Sequence, residues 1–141
     1  MKTLIVEDEL TSRVVLREIL KRYGPPQVAM NGVEAVEAVR VALQAGEPFD
    51  LICLDIIMPE MDGQEALKRI RKLEEDSGLT TETRARVIMT TAHADRDNVL
   101  EAIRGQCDHF LVKPIDSRAL LDELRRFGLV DNVAPQAERR R

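Results

Sequence analysis

Five short apolar runs alternate with amphipathic stretches along this chain, and that alternation leaves few folds open. The runs cover residues 3–6, 27–30, 50–54, 86–90 and 109–112. They are mostly apolar without strict alternation, as strands covered on both faces must be. The stretches between them carry a helical period. Leu16, Ile19, Leu20 and Tyr23 share one face, as do Val33, Val36, Val39 and Leu43. Leu67, Ile70 and Leu73 repeat the spacing, and so do Leu120, Leu121, Leu124 and Phe127. Asn31 and Asp116 are placed to cap the second and fifth helices, while Gly46, Gly105 and Gly128 stand where helices should stop. Residues 76–86 read as a polar surface loop. A (βα)₅ pattern of this kind predicts right-handed crossovers and an α/β fold, a parallel sheet with helices on both sides.

The chain has 141 residues, enough for one domain with a single core. With 44% hydrophobic and 33% charged residues it has the composition of a globular domain. Aromatics are 3% and Trp is absent, so aliphatic side chains must build the core and no base-stacking platform is expected. A net charge of −4 provides no basic field toward nucleic acid or anionic lipid. Cys53 and Cys107 have neither a disulfide framework nor zinc spacing, and Cys53 inside an apolar run reads as a small buried hydrophobe. The first residues run straight into charge without a signal-peptide core, and no apolar run approaches the ~20 residues that span a bilayer. A cytoplasmic location is the expectation, with no membrane partner.

Charged residues placed directly after apolar strands are costly unless something uses them. Glu7 and Asp8 follow the first run and Asp55 follows the third. If those strands are neighbours, three carboxylates meet at one sheet edge. Two such charges about 4 Å apart repel by roughly 4 kcal/mol at an effective dielectric of about 20. A divalent cation is the simplest remedy. Ligands of open α/β sheets bind beyond the carboxyl ends of the strands, and Thr91 and Lys113 follow the fourth and fifth runs there. Taken singly, Asp55 reads as a helix cap or solvated strand end, Lys113 as a surface lysine and Thr91 as the end of a strand. The coincidence of five such positions is the signal.

Four motifs, Val6-Glu-Asp-Glu9, Asp55-Ile-Ile-Met-Pro-Glu-Met-Asp-Gly63, Thr90-Thr-Ala92 and Lys113-Pro114, give the chain a strong resemblance to the receiver domain of two-component response regulators. The resemblance implies the flavodoxin-like three-layer sandwich of the chemotaxis regulator, with a five-stranded parallel sheet in the order 2-1-3-4-5. It implies a receiver domain over residues 1–128 and a tail or linker stub over 129–141. Asp55 would be the phosphoacceptor. Asp8, Asp55 and the Ile57 carbonyl would bind Mg²⁺ or Mn²⁺, with Glu7 acting through a metal-bound water. Thr91 and Lys113 would contact the phosphoryl oxygens, Thr91 and Phe110 would form the switch, and Pro114 would follow a cis bond. Gly63, after Asp62, reads as turn chemistry with permissive backbone angles. His93 is either a solvated loop imidazole or a modulator of phosphoryl lifetime.

The departures from the commonest pattern are modest. Glu7 stands for Asp, Phe110 lacks the hydroxyl of a switch tyrosine, and the 76–86 loop is somewhat long. Ile57 occupies the position where aspartate-nucleophile phosphatases carry a second Asp, which predicts poor water activation and a persistent aspartyl phosphate. The implied partners are a sensor histidine kinase or histidine phosphotransfer protein as donor and a downstream protein as target. The surface of fourth helix, fifth strand and fifth helix would carry the signal, and receiver dimers commonly use it. No DNA-binding output is expected, because the tail is short and the charge unfavourable. The arginines at 139–141 read as a solvated tail or linker stub, and a stand-alone receiver or relay component is the leading expectation. Beyond self-catalysed transfer to Asp55 and slow autodephosphorylation, no enzyme activity is expected. The alternatives are a pseudo-receiver that binds partners without phosphorylation, a phosphatase, which Ile57 opposes, and a flavin-binding protein, which the acidic residues oppose.

Overall fold

Leu4, Ile5 and Val6 are all buried, and they divide between two cores. Successive strand side chains point to opposite faces, so a strand buried throughout needs cover on both sides. The computed structural model describes residues 1–58, 60–92, 100 and 106–131. In it β1 (Thr3–Val6), β2 (Gln27–Ala29), β3 (Leu51–Asp55), β4 (Arg86–Thr91) and β5 (His109–Val112) form one parallel sheet in the order β2-β1-β3-β4-β5. Helices α1 (Leu10–Leu20), α2 (Gly32–Gln44) and α3 (Gly63–Asp76) and a C-terminal helix (Ser117–Arg126) flank it, with one 3₁₀ turn at Lys21–Tyr23.

On one face Leu4, Val6, Ile52, Leu54, Val87 and Met89 pack against α2 and α3. On the other, Ile5, Leu51, Cys53 and Ile88 pack against Leu16 and Leu20 of α1 and Leu120, Leu121 and Leu124 of the C-terminal helix. Fully burying one such side chain contributes about 1.5–3 kcal/mol. The thiol of Cys53 is pushed up to about 12 by that burial, which makes it an inert packing group.

The expected α2 face holds at Val36, Val39 and Leu43, which pack on the α2–α3 core together with Ala35 and Ala42, but Val33 departs from it at 47% exposed. Ala35 and Ala42 let α2 lie close to the sheet, while Val33, in its first turn, stands at the margin of that contact. Asn31 accepts a hydrogen bond from the Glu34 backbone N–H at 2.8 Å, and Asp116 accepts one from Arg118 at 3.2 Å, so both expected caps are present. Asp62 caps α3 in the same way through Glu65. Gly46 and Gly128 end their helices at φ of +73° and +77°; Gly105 lies outside the described residues. Strands β3 and β4 run one residue further than expected, which takes Asp55 and Thr91 into the sheet. Leu129 and Val130, expected in the tail, pack partly buried beside the C-terminal helix. None of the described helices is long and apolar enough to cross a membrane.

A buried ionic clamp, unforeseen from the sequence, closes the amino end of β4 and β5. Arg71 of α3 donates to Glu74 Oε1 and the Ala85 carbonyl at 2.8 Å and to Asp108 Oδ2 at 3.0 Å. It also donates to the Gln106 carbonyl at 3.0 and 3.1 Å. Glu74 accepts from Ala85 N–H and Asp108 from Val87 N–H, each at 2.8 Å. Every partner is a main-chain group or an opposite charge, which is how a buried guanidinium is tolerated.

Candidate functional site

The strand order puts β1 beside β3 with Val6 opposite Leu54, so the acids that follow them share one sheet edge. The Glu7 N–H donates to the Ala29 carbonyl at 3.1 Å, which extends the ladder and draws Glu7 into the interior at 0% exposure. Asp8 emerges into solvent. Asp55, the last residue of β3, is 4% exposed. One carboxylate oxygen from each of Glu7, Asp8 and Asp55 lies within 4.8 Å of the others. Hard divalent cations take such oxygen donors, so this set fits Mg²⁺ or Mn²⁺.

Lys113 reaches the same point from β5. Its N–H donates to the Thr91 carbonyl at 2.8 Å, and its bond to Pro114 is cis. The Nζ lies 2.8 Å from Glu7 Oε1, 3.2 Å from Asp55 Oδ2 and 4.0 Å from Glu9 Oε1. Burial pushes the Asp55 carboxyl up, the Glu7 charge adds to this, and Lys113 offsets part of it, leaving a value of about 7. Burial pulls Lys113 down, but its hydrogen bond to Glu7 and the charges of Asp55 and Glu7 leave it above its ordinary value. The ammonium therefore stays charged at neutral pH, while Asp55 is poised between its two forms.

Thr91 is fully buried at the end of β4. The register pairs Met89 with Phe110 and Thr91 with Val112, so Thr91 and Phe110 share the α2–α3 face of adjacent strands. Phe110 is partly buried against that core, whereas Thr90 points to the opposite face with Ile88. Ile57 is 57% exposed. His93 and most of the expected fourth helix lie outside the described residues.

Gly63 corrects the turn reading. Its φ is not left-handed. A Cβ at this position would fall on the Asp55 carbonyl oxygen and within 2.8 Å of Ile56 Cα, and the Gly63 N–H donates to the Ile56 carbonyl at 2.7 Å. Close approach requires the glycine. It lets the start of α3 press against the segment that carries Asp55.

Two participants were not singled out from the sequence. Arg13 of α1 donates to the carbonyls of Glu7 and Asp8 at 3.2 and 3.4 Å. Glu9, visible only as the third acid of Val6-Glu-Asp-Glu9, donates its N–H to Glu7 Oε2 at 3.1 Å.

Residues 3–125 match the family model described as the response regulator receiver domain. The chain belongs to that family. It is 34% identical over 127 residues to the chemotaxis protein CheY of Bacillus subtilis, covering 89% of this chain and 95% of that protein. It is also 33% identical to the probable histidine kinase 2 of rice over 132 residues, which are 86% of this chain but 12% of that much longer protein. Among solved structures it is similar to the receiver domain of the histidine kinase CKI1 from Arabidopsis thaliana complexed with Mg²⁺ and BeF₃⁻, with a TM-score of 0.76 at 30% identity. That match covers 92% of this receiver domain and 90% of the other chain. A CheY-like receiver domain from Methanospirillum hungatei gives a TM-score of 0.73 at 25% identity, covering 89% and 90%. The fold is the CheY-like, flavodoxin-like one, and the receiver domain is a component of two-component signalling.

Proposed function

We propose that this receiver domain takes a phosphoryl group from a phosphohistidine donor onto Asp55 and signals through protein contacts. The donor would be a sensor histidine kinase or a histidine phosphotransfer protein, and the reader a downstream protein. The observation that carries the reading is the convergence on Asp55, at the end of β3, of Glu7 and Asp8 from the end of β1 and Lys113 from the end of β5. Asp8, Asp55 and the Ile57 carbonyl would hold Mg²⁺ or Mn²⁺, with Glu7 reaching it through water. When bound, the cation would screen the negative charge that gathers as an anionic phosphoryl group approaches a carboxylate.

The chain's own residues supply the rest. Asp55 offers a carboxylate oxygen in line with the bond to be broken. Lys113 presents a permanent positive charge beside it, and Thr91 offers a hydroxyl to a second equatorial oxygen. Two hydrogen bonds to a charged group contribute roughly 3–6 kcal/mol. Shifting a two-state equilibrium from 1:99 to 99:1 requires about 5.5 kcal/mol, so contacts made only in the phosphorylated form suffice. Movement of Thr91 toward the phosphoryl group would open space on the face it shares with Phe110, and Phe110 would turn inward. The exposed Ile57 offers no base to activate water, so the adduct should persist. We read the receiver as extending to about residue 130.

Intact-mass spectrometry after incubation with acetyl phosphate and Mg²⁺ tests this reading. One phosphoryl adduct is expected, absent from Asp55→Asn and not formed when the metal is chelated before the donor is added. A native chain that stays unmodified would point to a pseudo-receiver instead.

A further inference from the structure

Glu9 stands at the N-cap of α1, yet among the described residues its side chain makes no capping hydrogen bond. Its carboxylate accepts a hydrogen bond from Ser12 Oγ instead and stands 4.0 Å from Lys113 Nζ. Its own N–H is tied to Glu7 Oε2 at 3.1 Å. The side chain is 61% exposed against 15% for Lys113 and 6% for Asp55, so this negative charge lies on the solvent side of both. Two side-chain cations share this sheet edge with the carboxylates of Glu7, Asp8, Glu9 and Asp55: Lys113, which faces Glu7, Glu9 and Asp55, and Arg13, whose guanidinium lies on the Glu7 and Asp8 carbonyls. A divalent cation brings that set to neutrality. Without Glu9, the loaded site would carry a net positive charge.

We propose that Glu9 is a specificity-determining residue, a fixed charge at the mouth that slows small dianionic phosphodonors relative to donors presented on a protein surface. This rests on the reading of Asp55 as phosphoacceptor and adds to it. A protein donor brings docking contacts elsewhere that offset the repulsion; a free small donor brings none. With acetyl phosphate, an Asp55 carboxylate oxygen bonds to phosphorus as the phosphorus–oxygen bond to acetate breaks, and acetate leaves with the electron pair. Glu9 makes and breaks no bond in this step. It changes only the energy of bringing the dianion in.

The test compares initial rates of adduct formation in native protein, Glu9→Gln and Glu9→Lys. Each is measured at Mg²⁺ saturation, with metal affinity determined separately by calorimetry. Acetyl phosphate is the dianionic donor, and phosphoramidate, with one net negative charge, is the control. Glu9→Gln should react with acetyl phosphate about 3- to 10-fold faster, Glu9→Lys faster again, and phosphoramidate should gain distinctly less. The differences should shrink at salt near 1 M, where screening acts over about 3 Å. Glu9→Gln should also bind Mg²⁺ more weakly, a separate sign of the lost charge. Equal rates, an equal gain with both donors or insensitivity to salt would overturn the inference and leave the phosphoacceptor reading standing. No adduct on any chain from either donor would overturn that reading, and the inference with it.

Discussion

Burial beside Glu7 raises the Asp55 carboxyl from 3.8 to about 7, and stability should register the shift. A carboxyl that holds its proton more tightly when folded adds stability that is complete below about pH 4. That contribution is lost as the pH climbs to about 7. The full shift corresponds to about 4 kcal/mol at 1.36 kcal/mol per unit, and partial solvation reduces this to about 1–3 kcal/mol. Metal-free protein should therefore lose thermal stability between pH 4 and 7, Asp55→Asn should abolish most of the decline, and Mg²⁺ should oppose it at neutral pH. Thermal midpoints that do not change with pH in chelator would contradict this. Ile57 permits a cleaner kinetic test. Because it is exposed, Ile57→Asn should leave stability within about 0.5 kcal/mol while accelerating decay of the phosphorylated form. An unchanged half-life would show that water activation is limited elsewhere.

At the level of elements, the start of α3 and the end of β3 are held together by the absence of one side chain. Gly63→Ala would push a methyl group into the Asp55 carbonyl, so the segment carrying Asp55 must move. Overpacking of this kind costs about 1–3 kcal/mol, and metal affinity should fall along with the urea midpoint. Retention of both would mean that α3 can slide without disturbing the site. The opposite end of the sheet depends on Arg71. Arg71→Met would leave the buried Glu74 without its cation and Asp108, half-buried, with Arg86 alone, at a cost of about 3–5 kcal/mol in urea unfolding. A loss below about 1 kcal/mol would show that water replaces the guanidinium. The sequence could not reveal this clamp, because Arg71 and Glu74 are three residues apart, the same spacing as an exposed helix pair such as Glu37 with Arg40. Only the packing of α3 on β4 and β5 distinguishes the two. Val33 was misplaced on the α2 face for a related reason: counting valines ignores Ala35 and Ala42, which are the buried residues beside Val39.

At the scale of the whole molecule, the legible parts were those set by strand ends. Apolar runs fix where strands lie, and a parallel sheet places every carboxyl end on one edge, so Glu7, Asp8, Asp55, Thr91 and Lys113 converge whatever the details of the helices. The order of the strands came with the resemblance to receiver domains, since periodicity alone does not say which strands are neighbours. The parts that resisted reading depend on side-chain reach: the Glu9–Lys113 contact, the Arg13 brace and the close fit at Gly63. The chemistry thus follows from topology, and its tuning follows from packing. Reduction with borohydride after phosphorylation, followed by peptide sequencing in a mass spectrometer, tests the central claim most directly, because an acyl phosphate on aspartate is reduced to homoserine. Homoserine should be found at position 55, only when Mg²⁺ or Mn²⁺ was present. Homoserine at another position, or at position 55 in the absence of any divalent cation, would contradict it.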